Sequence, residues 1–407
     1  MKPSHPITYI TRDIERAIGT EPSDNYFIIA NKTPYAEGIA ATHPDNVLLI
    51  ESPTILGTRE LIEHATTKAW LASTFAPSAL PFTLVFKNTA RVEEAATKHG
   101  LKLINPSAAL SETIENKMSQ IEWLGDMGKK YLPRHSVMIA KKLTWTGEPF
   151  IVQWAHGHTG GGTLLISNET ELRTIQEKFP FRMTRRSAYI KGPSFTVNAV
   201  VAADKILVGN ISYQITGLRP FTDNPFSTVG NDWSATHTML TESEIEYIET
   251  MASDIGKKLN ISGWRGLYGI DVIKDVEHNT IYLIEINARQ PASTSFESSL
   301  QRRNRDQGAD GITTFEAHLS ALLGESISKP LIPINDGAQI VQRVTKATTT
   351  VGDDKITALH AAGYQTATYP NTDLNEDLVR IQSTRGIIDA RGELNERGQD
   401  ILSSITR

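Results

Sequence analysis

A stretch that starts as an apolar strand places three polar side chains at every second position: Glu285, Asn287 and Arg289 in "IYLIEINARQPAST", residues 281–294. Alternate residues of a strand share a face, so a carboxylate, an amide and a guanidinium would project together. Just upstream, "GIDVIKD" supplies Asp271. Folding the two stretches about a polar turn near His278 places Asp271 opposite Glu285, because each lies seven positions from it. Like charges directly opposed across a ladder destabilise it, so the pair calls for a cation between them. Two carboxylates and an amide carbonyl are hard oxygen ligands of the kind Mg²⁺ takes, with waters and phosphate oxygens completing its shell. A solvated edge face is the plainer reading of such alternation, and Arg289 could be no more than a salt-bridge partner of Glu285. Apolar residues flanking both strands favour a central pair.

The second chemical signal is "HGHTGGGT", residues 156–163. Consecutive glycines let backbone N–H groups approach phosphate oxygens closely. The stretch lies between two strand-like runs and GxxxxGK[ST] is absent, so it is no P-loop. A flexible hairpin turn is the alternative. His156 and His158 lack a third ligand spaced nearby and read as loop histidines.

These groups need a scaffold. "YFIIAN" (26–31), "NVLLIES" (46–52), "FTLVFKN" (82–88) and "LKLIN" (101–105) read as buried strands. They alternate with helical patterns at 58–74 and 90–100. Such alternation predicts a small Rossmann-like α/β domain with a parallel sheet over 1–106. It holds no GxGxxG, which argues against a dinucleotide site. From Ser107 the pattern changes. A helical run over 111–131 leads into "PFIVQWAHGHTGGGTLLISN", a strand, turn and strand. A helix follows, with Asn168 and Glu171 spaced like a capping box. "RSAYIKG", "SFTVNAVVA" and "KILVGNISYQI" read as antiparallel strands, and 241–259 as a helix opened by a Thr241/Glu244 capping box. Residues 311–324 form an amphipathic helix, and 329–339 look like a linker into a short C-terminal unit.

Composition narrows the classes. The chain has 407 residues, enough for two to four domains, with 39% hydrophobic and 21% charged residues. A net charge of −5 without blocks of like charge gives nucleic acid no basic field. The absence of cysteine excludes disulfides, thiolate nucleophiles and cysteine-ligated zinc. No secretory h-region and no run of ~18 apolar residues is present, so a cytoplasmic soluble protein without membrane partners is expected.

Taken in order, the motifs resemble the ATP-grasp superfamily over roughly residues 107–325. "ENK" (115–117) resembles its Asn-Lys element, with Lys117 as a phosphate-contacting lysine. "PFIVQ" with "HTGGGT" is similar to its strand and glycine-rich lid, and "SAYIKG" (187–192) to its hinge. "GIDVI" and "IEINAR" look like its metal-binding strands. The resemblance implies an α/β and α+β multidomain chain: the pre-ATP-grasp domain at 1–106, an N-terminal lobe at 107–190, a C-terminal lobe at 191–328 and a small unit at 329–407. The two lobes would clamp ATP. Lys117, Gln153, Gly160, Gly161, Gly162, Thr163, Ser187, Ala188 and Ile190 would bind the nucleotide. The backbones of Ala188 and Ile190 would read the adenine edge. Asp271, Glu285 and Asn287 would hold Mg²⁺, or Mn²⁺ in its stead, and Arg289 would steady the reacting acyl phosphate.

Two positions depart from the family pattern. Gln153 stands where a lysine usually ends the lid strand, and Ser187 replaces a common acidic residue of the hinge. The implied activity is an ADP-forming carboxylate–amine ligase acting on a small acid and an amine. A bicarbonate-using carboxylase-like enzyme and an ATP-binding regulator with weakened catalysis are the alternatives, Gln153 being the best argument for the latter. A homodimer is compatible with all three.

Overall fold

A computed structural model describes residues 3–155 and 162–406. The first sheet contains β1 (Ile7–Ile10), β2 (Tyr26–Asn31), β3 (Val47–Ile50), β4 (Phe82–Val85) and β5 (Lys102–Leu103). Its order is β3-β2-β1-β4-β5 and every pairing is parallel. All six residues of β2 are buried, as expected for a parallel strand covered on both faces. The helical run at 58–74 is two helices, Thr58–Glu63 and Ala65–Thr74, broken at His64. The helix Ala90–Lys98 ends where Gly100 takes φ +66° and Leu101 N donates to Ala96 O at 2.9 Å.

The run expected to be helical over 111–131 also breaks. It forms Ala108–Glu115, Ser119–Leu124 and Asp126–Tyr131. At the first break Lys117 N donates to Ala155 O at 3.1 Å, which ties this turn to the end of the lid strand.

The second sheet is antiparallel, in the order β6-β9-β7-β8: β6 (His135–Ile139), β7 (Phe150–Gln153), β8 (Thr163–Ile166) and β9 (Met183–Ala188). Sequence reading missed β6, whose five residues are all partly or wholly exposed and show no alternation. In the helix Glu169–Lys178, Asn168 Oδ1 accepts from Glu171 N at 2.9 Å. Glu171 Oε2 accepts from Ser167 N at 2.7 Å, one residue earlier than a capping box requires.

The third sheet has eight strands: β10 (Ser194–Val201), β11 (Ile206–Thr216), β12 (Thr228–Asp232), β13 (Gly266–Asp275), β14 (Thr280–Asn287), β15 (Ala338–Arg343), β16 (Gln365–Thr368) and β17 (Asp377–Ser383). The order is β14-β13-β10-β11-β12-β15-β17-β16. The strands of 329–407 therefore extend the sheet of the preceding lobe through the β12–β15 pairing. The helix Glu242–Ile261, with its capping box formed, packs Ile248, Met251, Ile255 and Leu259 against Phe195, Tyr268 and Ile270 of the sheet. Phe315, from the helix Thr314–Leu323, enters the core of the first domain between Tyr9 and Tyr26.

The helix Thr294–Asp306 escaped sequence reading for a physical reason. Its buried face carries Thr294, Ser295, Glu297, Ser298 and Gln301 beside only Phe296 and Leu300, so it has no apolar stripe to detect.

Candidate active site

The hairpin β13–β14 brings Asp271 opposite Glu285. From the turn upward the pairs run Asp275↔Thr280, Lys274↔Ile281, Ile273↔Tyr282 and Val272↔Leu283. Continued unbroken, the register would set Asp271 against Ile284. A bulge intervenes and Asp271 pairs with Glu285 instead, then Ile270 with Ile286 and Gly269 with Asn287. One extra residue, Ile284, thus decides which face Glu285 and Asn287 occupy.

Asp271 is held from both sides. Thr196 Oγ1 donates to Oδ1 at 2.7 Å and Asn287 Nδ2 to Oδ2 at 3.1 Å. Burial, with Glu285 adding to it, pushes the Asp271 carboxyl up to about 6 against those bonds. Glu285 moves the other way. Burial opposes its charge, but Lys117, Arg289 and Arg185 together hold it below the usual carboxylate range. Lys117 Nζ lies 2.5 Å from Glu285 Oε1. Arg289 takes a different partner from the one sequence reading allowed. It is bonded to Glu115, which also meets Lys87 Nζ at 2.5 Å.

The facing wall comes from the second sheet. Cross-strand register lines up Thr163, Gln153 and Arg185 on β8, β7 and β9. Gln153 Nε2 donates to Thr163 Oγ1 at 3.3 Å, and Gln153 Oε1 accepts from Arg185 Nε at 2.9 Å. Ser187 follows two residues after Arg185 on the same face, and its buried Oγ has no hydrogen-bond partner among the described residues. The hinge then crosses to the third sheet at Gly192, where a Cβ would sit 1.8 Å from Lys274 O. The amide of Ala188 already donates to Arg134 O at 2.9 Å, so a ligand could use only its carbonyl.

Between the two sheets lies a cleft of about 590 Å³. Lys117, Gln153, Gly162, Thr163, Ser187, Ala188, Ile190, Asp271, Glu285, Asn287 and Arg289 all line it. Gly160 and Gly161, with His156 and His158, lie outside the described residues. Sequence reading missed Arg185, Thr196 and Gln214 on these walls, and Arg343 and Arg380 at the far end. Parity with Ser187 could have found Arg185; the other four follow only from the long-range sheet order. A hydrogen-bonded polar row crosses the third sheet from β10 to β17. Gln214 bonds Thr196, Ser212 Oγ donates to Thr196 O at 3.4 Å, Asn231 Nδ2 to Ser212 Oγ at 3.1 Å, Gln339 Nε2 to Asn231 Oδ1 at 3.3 Å, and Arg380 NH1 to Gln339 Oε1 at 3.4 Å. The first domain closes the remaining side with Arg16, Phe86 and Lys87.

The family comparison matches the ATP-grasp domain to residues 114–293, which include most of both walls of this cleft. The chain contains an ATP-grasp domain. No curated protein matches it in sequence. Solved ATP-grasp structures match it in fold along its whole length. N5-carboxyaminoimidazole synthase from Aspergillus clavatus, in complex with ADP and 5-aminoimidazole ribonucleotide, is 15% identical with a TM-score of 0.65, covering 99% of this chain and 98% of its own. N5-carboxyaminoimidazole synthetase from Staphylococcus aureus is 12% identical with a TM-score of 0.63, covering 100% and 99%. L-amino acid ligase from Bacillus licheniformis is 14% identical with a TM-score of 0.62, covering 99% and 98%.

The donors of this ATP-grasp cleft suit one kind of cation. Among the described residues there is no cluster of three or more His, Cys, Asp or Glu side chains that could hold a metal. Asp271 and Glu285 supply two carboxylates and Asn287 an amide oxygen. The rest of a shell would have to be water and phosphate, which is how Mg²⁺ is usually bound. No helix among the described residues is long and apolar enough to cross a membrane.

Proposed function

We propose that the chain is an ATP-dependent carboxylate–amine ligase that forms an amide or peptide bond and releases ADP and phosphate. One observation carries the reading: eleven side chains and backbone positions expected to serve ATP, Mg²⁺ and the intermediate line a single cleft. The adenine would lie between Ile151 of the second sheet and Ile273 of the third, both of which face the cleft, near the unpartnered Ser187 Oγ. Lys117 would move its ammonium from Glu285 to a phosphate oxygen. Asp271, Glu285 and Asn287 would hold Mg²⁺, which neutralises phosphate charge when bound.

In the first step an oxygen of the acid's carboxylate attacks the γ-phosphorus, and ADP leaves with the bonding electron pair. The amine nitrogen then attacks the acyl carbon, the C–O bond to phosphate breaks, and the amine proton passes to solvent. Arg289 would bind the anionic acyl phosphate, with Glu115 fixing its guanidinium. Arg380, at the other end of the polar row, and Arg343, which lines the cleft with it, suit an acid or amine that bears a second anionic group. Bicarbonate in the acid's place is the second reading. It is supported by full-length similarity to N5-carboxyaminoimidazole synthetases.

The test is ADP formation with Mg²⁺ against panels of amino acids and small acids, and separately with bicarbonate and amines. ADP release that needs both a carboxylic acid and an amine is expected. Dependence on bicarbonate with no carboxylic acid active selects the second reading, and AMP with pyrophosphate as products rejects both.

A further inference from the structure

Arg185 is the least exposed cation on the walls of the cleft, at 3%. Its guanidinium donates to three acceptors. Nε and NH2 reach Gln153 Oε1 at 2.9 and 2.5 Å, NH2 reaches Ile284 O at 3.1 Å, and NH1 reaches Gln120 Oε1 at 3.4 Å. All three acceptors are neutral oxygens. Among the described residues no carboxylate forms an ion pair with it. Glu285, the carboxylate whose field it feels, is engaged by Lys117 at 2.5 Å. Burial pulls the Arg185 pKa down to about 10, so the charge is poorly solvated where it stands. A buried charge with hydrogen bonds but no counter-charge is a costly arrangement for stability alone, since an apolar residue of similar volume would serve better.

The surroundings fix where that charge points. Gln153, Thr163 and Arg185 are cross-strand neighbours on β7, β8 and β9. Thr163 anchors the amide nitrogen of Gln153, which turns the amide oxygen toward the guanidinium. The Ile284 carbonyl, set free of regular pairing by the bulge in β14, holds the guanidinium from the other sheet. Arg185 is therefore gripped by both walls of the cleft, within the field of Glu285.

We infer that Arg185, aimed by Gln153 as a positioning residue, binds the polyphosphate of the nucleotide and carries on β9 a positive charge that β7 lacks. The inference rests on the nucleotide reading above, and its test separates the two. Binding of tripolyphosphate, ADP and adenosine is measured by calorimetry at fixed Mg²⁺ for the full chain, with circular dichroism as the check on folding. Arg185→Gln is expected to weaken tripolyphosphate and ADP by about tenfold to a hundredfold, the range of a lost charge-assisted contact, with adenosine unchanged. Arg185→Lys keeps the charge but not the fork, and should fall between. Equal tripolyphosphate affinity in wild type and Arg185→Gln overturns the inference. So does a parallel loss of adenosine, or a wild type that binds no polyphosphate. A wild type that binds tripolyphosphate but not adenosine rejects the nucleotide reading while Arg185 is still tested. If Arg185→Gln does not fold, Arg185→Lys decides: weaker tripolyphosphate with intact adenosine binding supports the role, and unchanged affinity overturns it.

Discussion

Lys117 Nζ sits 2.5 Å from Glu285 Oε1, so the lysine expected to meet phosphate and the carboxylate expected to meet metal neutralise each other. The two must separate when their ligands arrive. Metal and polyphosphate should therefore bind together better than either binds alone, because each removes the partner the other would leave uncompensated.

Glu285→Gln tests that exchange. Metal-dependent ATP turnover should fall by at least about a hundredfold, since one of two carboxylate ligands is lost. The Glu285 side chain is 30% exposed, so breaking its pair with the buried Lys117 should lower stability by only about 1–2 kcal/mol. Wild-type turnover with the same Mg²⁺ dependence would remove Glu285 from the metal site.

Arg289→Ala separates intermediate binding from nucleotide binding. Glu115 keeps Lys87 at 2.5 Å, so the local charge balance survives the loss of the guanidinium. With the right acid supplied, hydroxylamine should capture the acyl phosphate as a hydroxamate. The variant should suppress that capture far more than it weakens ATP affinity. Equal losses in both would make Arg289 a nucleotide residue.

Gln153→Lys would restore the family's usual charge, but Arg185 already occupies the neighbouring position with two bonds to the Gln153 oxygen. The variant sets two buried cations side by side and removes an acceptor. It should lower stability by about 2–3 kcal/mol in thermal unfolding. In Gln153→Lys/Arg185→Gln the stability should largely return. Two independent, additive losses would show that the residues do not interact.

His318 predicts a pH effect on stability. It is fully buried and its Nδ1 accepts from Leu267 N at 3.0 Å, which requires the neutral ring. Burial lowers its pKa from 6.5 to about 3. The unfolded chain binds a proton that the folded chain refuses between those values. The stability contribution is therefore complete above pH 6.5 and is lost as pH falls toward 3. Denaturant unfolding should show about 2 kcal/mol lost from this group between pH 6.5 and 5. His318→Gln should flatten that slope, and an unchanged slope would assign it to other groups.

Much of the site was legible because it rests on period-two strands. Glu285, Asn287 and Arg289 announce a shared face, and the pairing of Asp271 with Glu285 came out as expected. It did so because the bulge offsets a turn whose own register would have opposed Asp271 to Ile284, a coincidence no local pattern encodes. Arg185 was missed because "FRMTRRSAYIKG" holds several cations; parity with Ser187 marks its face, and the pairing with β7 sets it against Gln153. The helix Thr294–Asp306 was missed because its inward face is polar. Arg343 and Arg380 join the cleft only because β15 and β17 continue the lobe's sheet, a relationship between segments more than a hundred residues from β12.

That continuity makes the carboxy-terminal segment hard to do without. β12 donates one edge to β11 and the other to β15. A chain cut at residue 329 would leave the second edge of β12 bare, a row of unpaired N–H and C=O groups open to any extended strand it meets. It would also strip Ala338, Ile340, Val379 and Ile381 from Ile215, Phe221 and Val229, leaving those side chains in water. Such a fragment should be sticky before it is inactive, so its failure to turn over ATP would report clumping as well as the loss of Arg343 and Arg380 from the cleft.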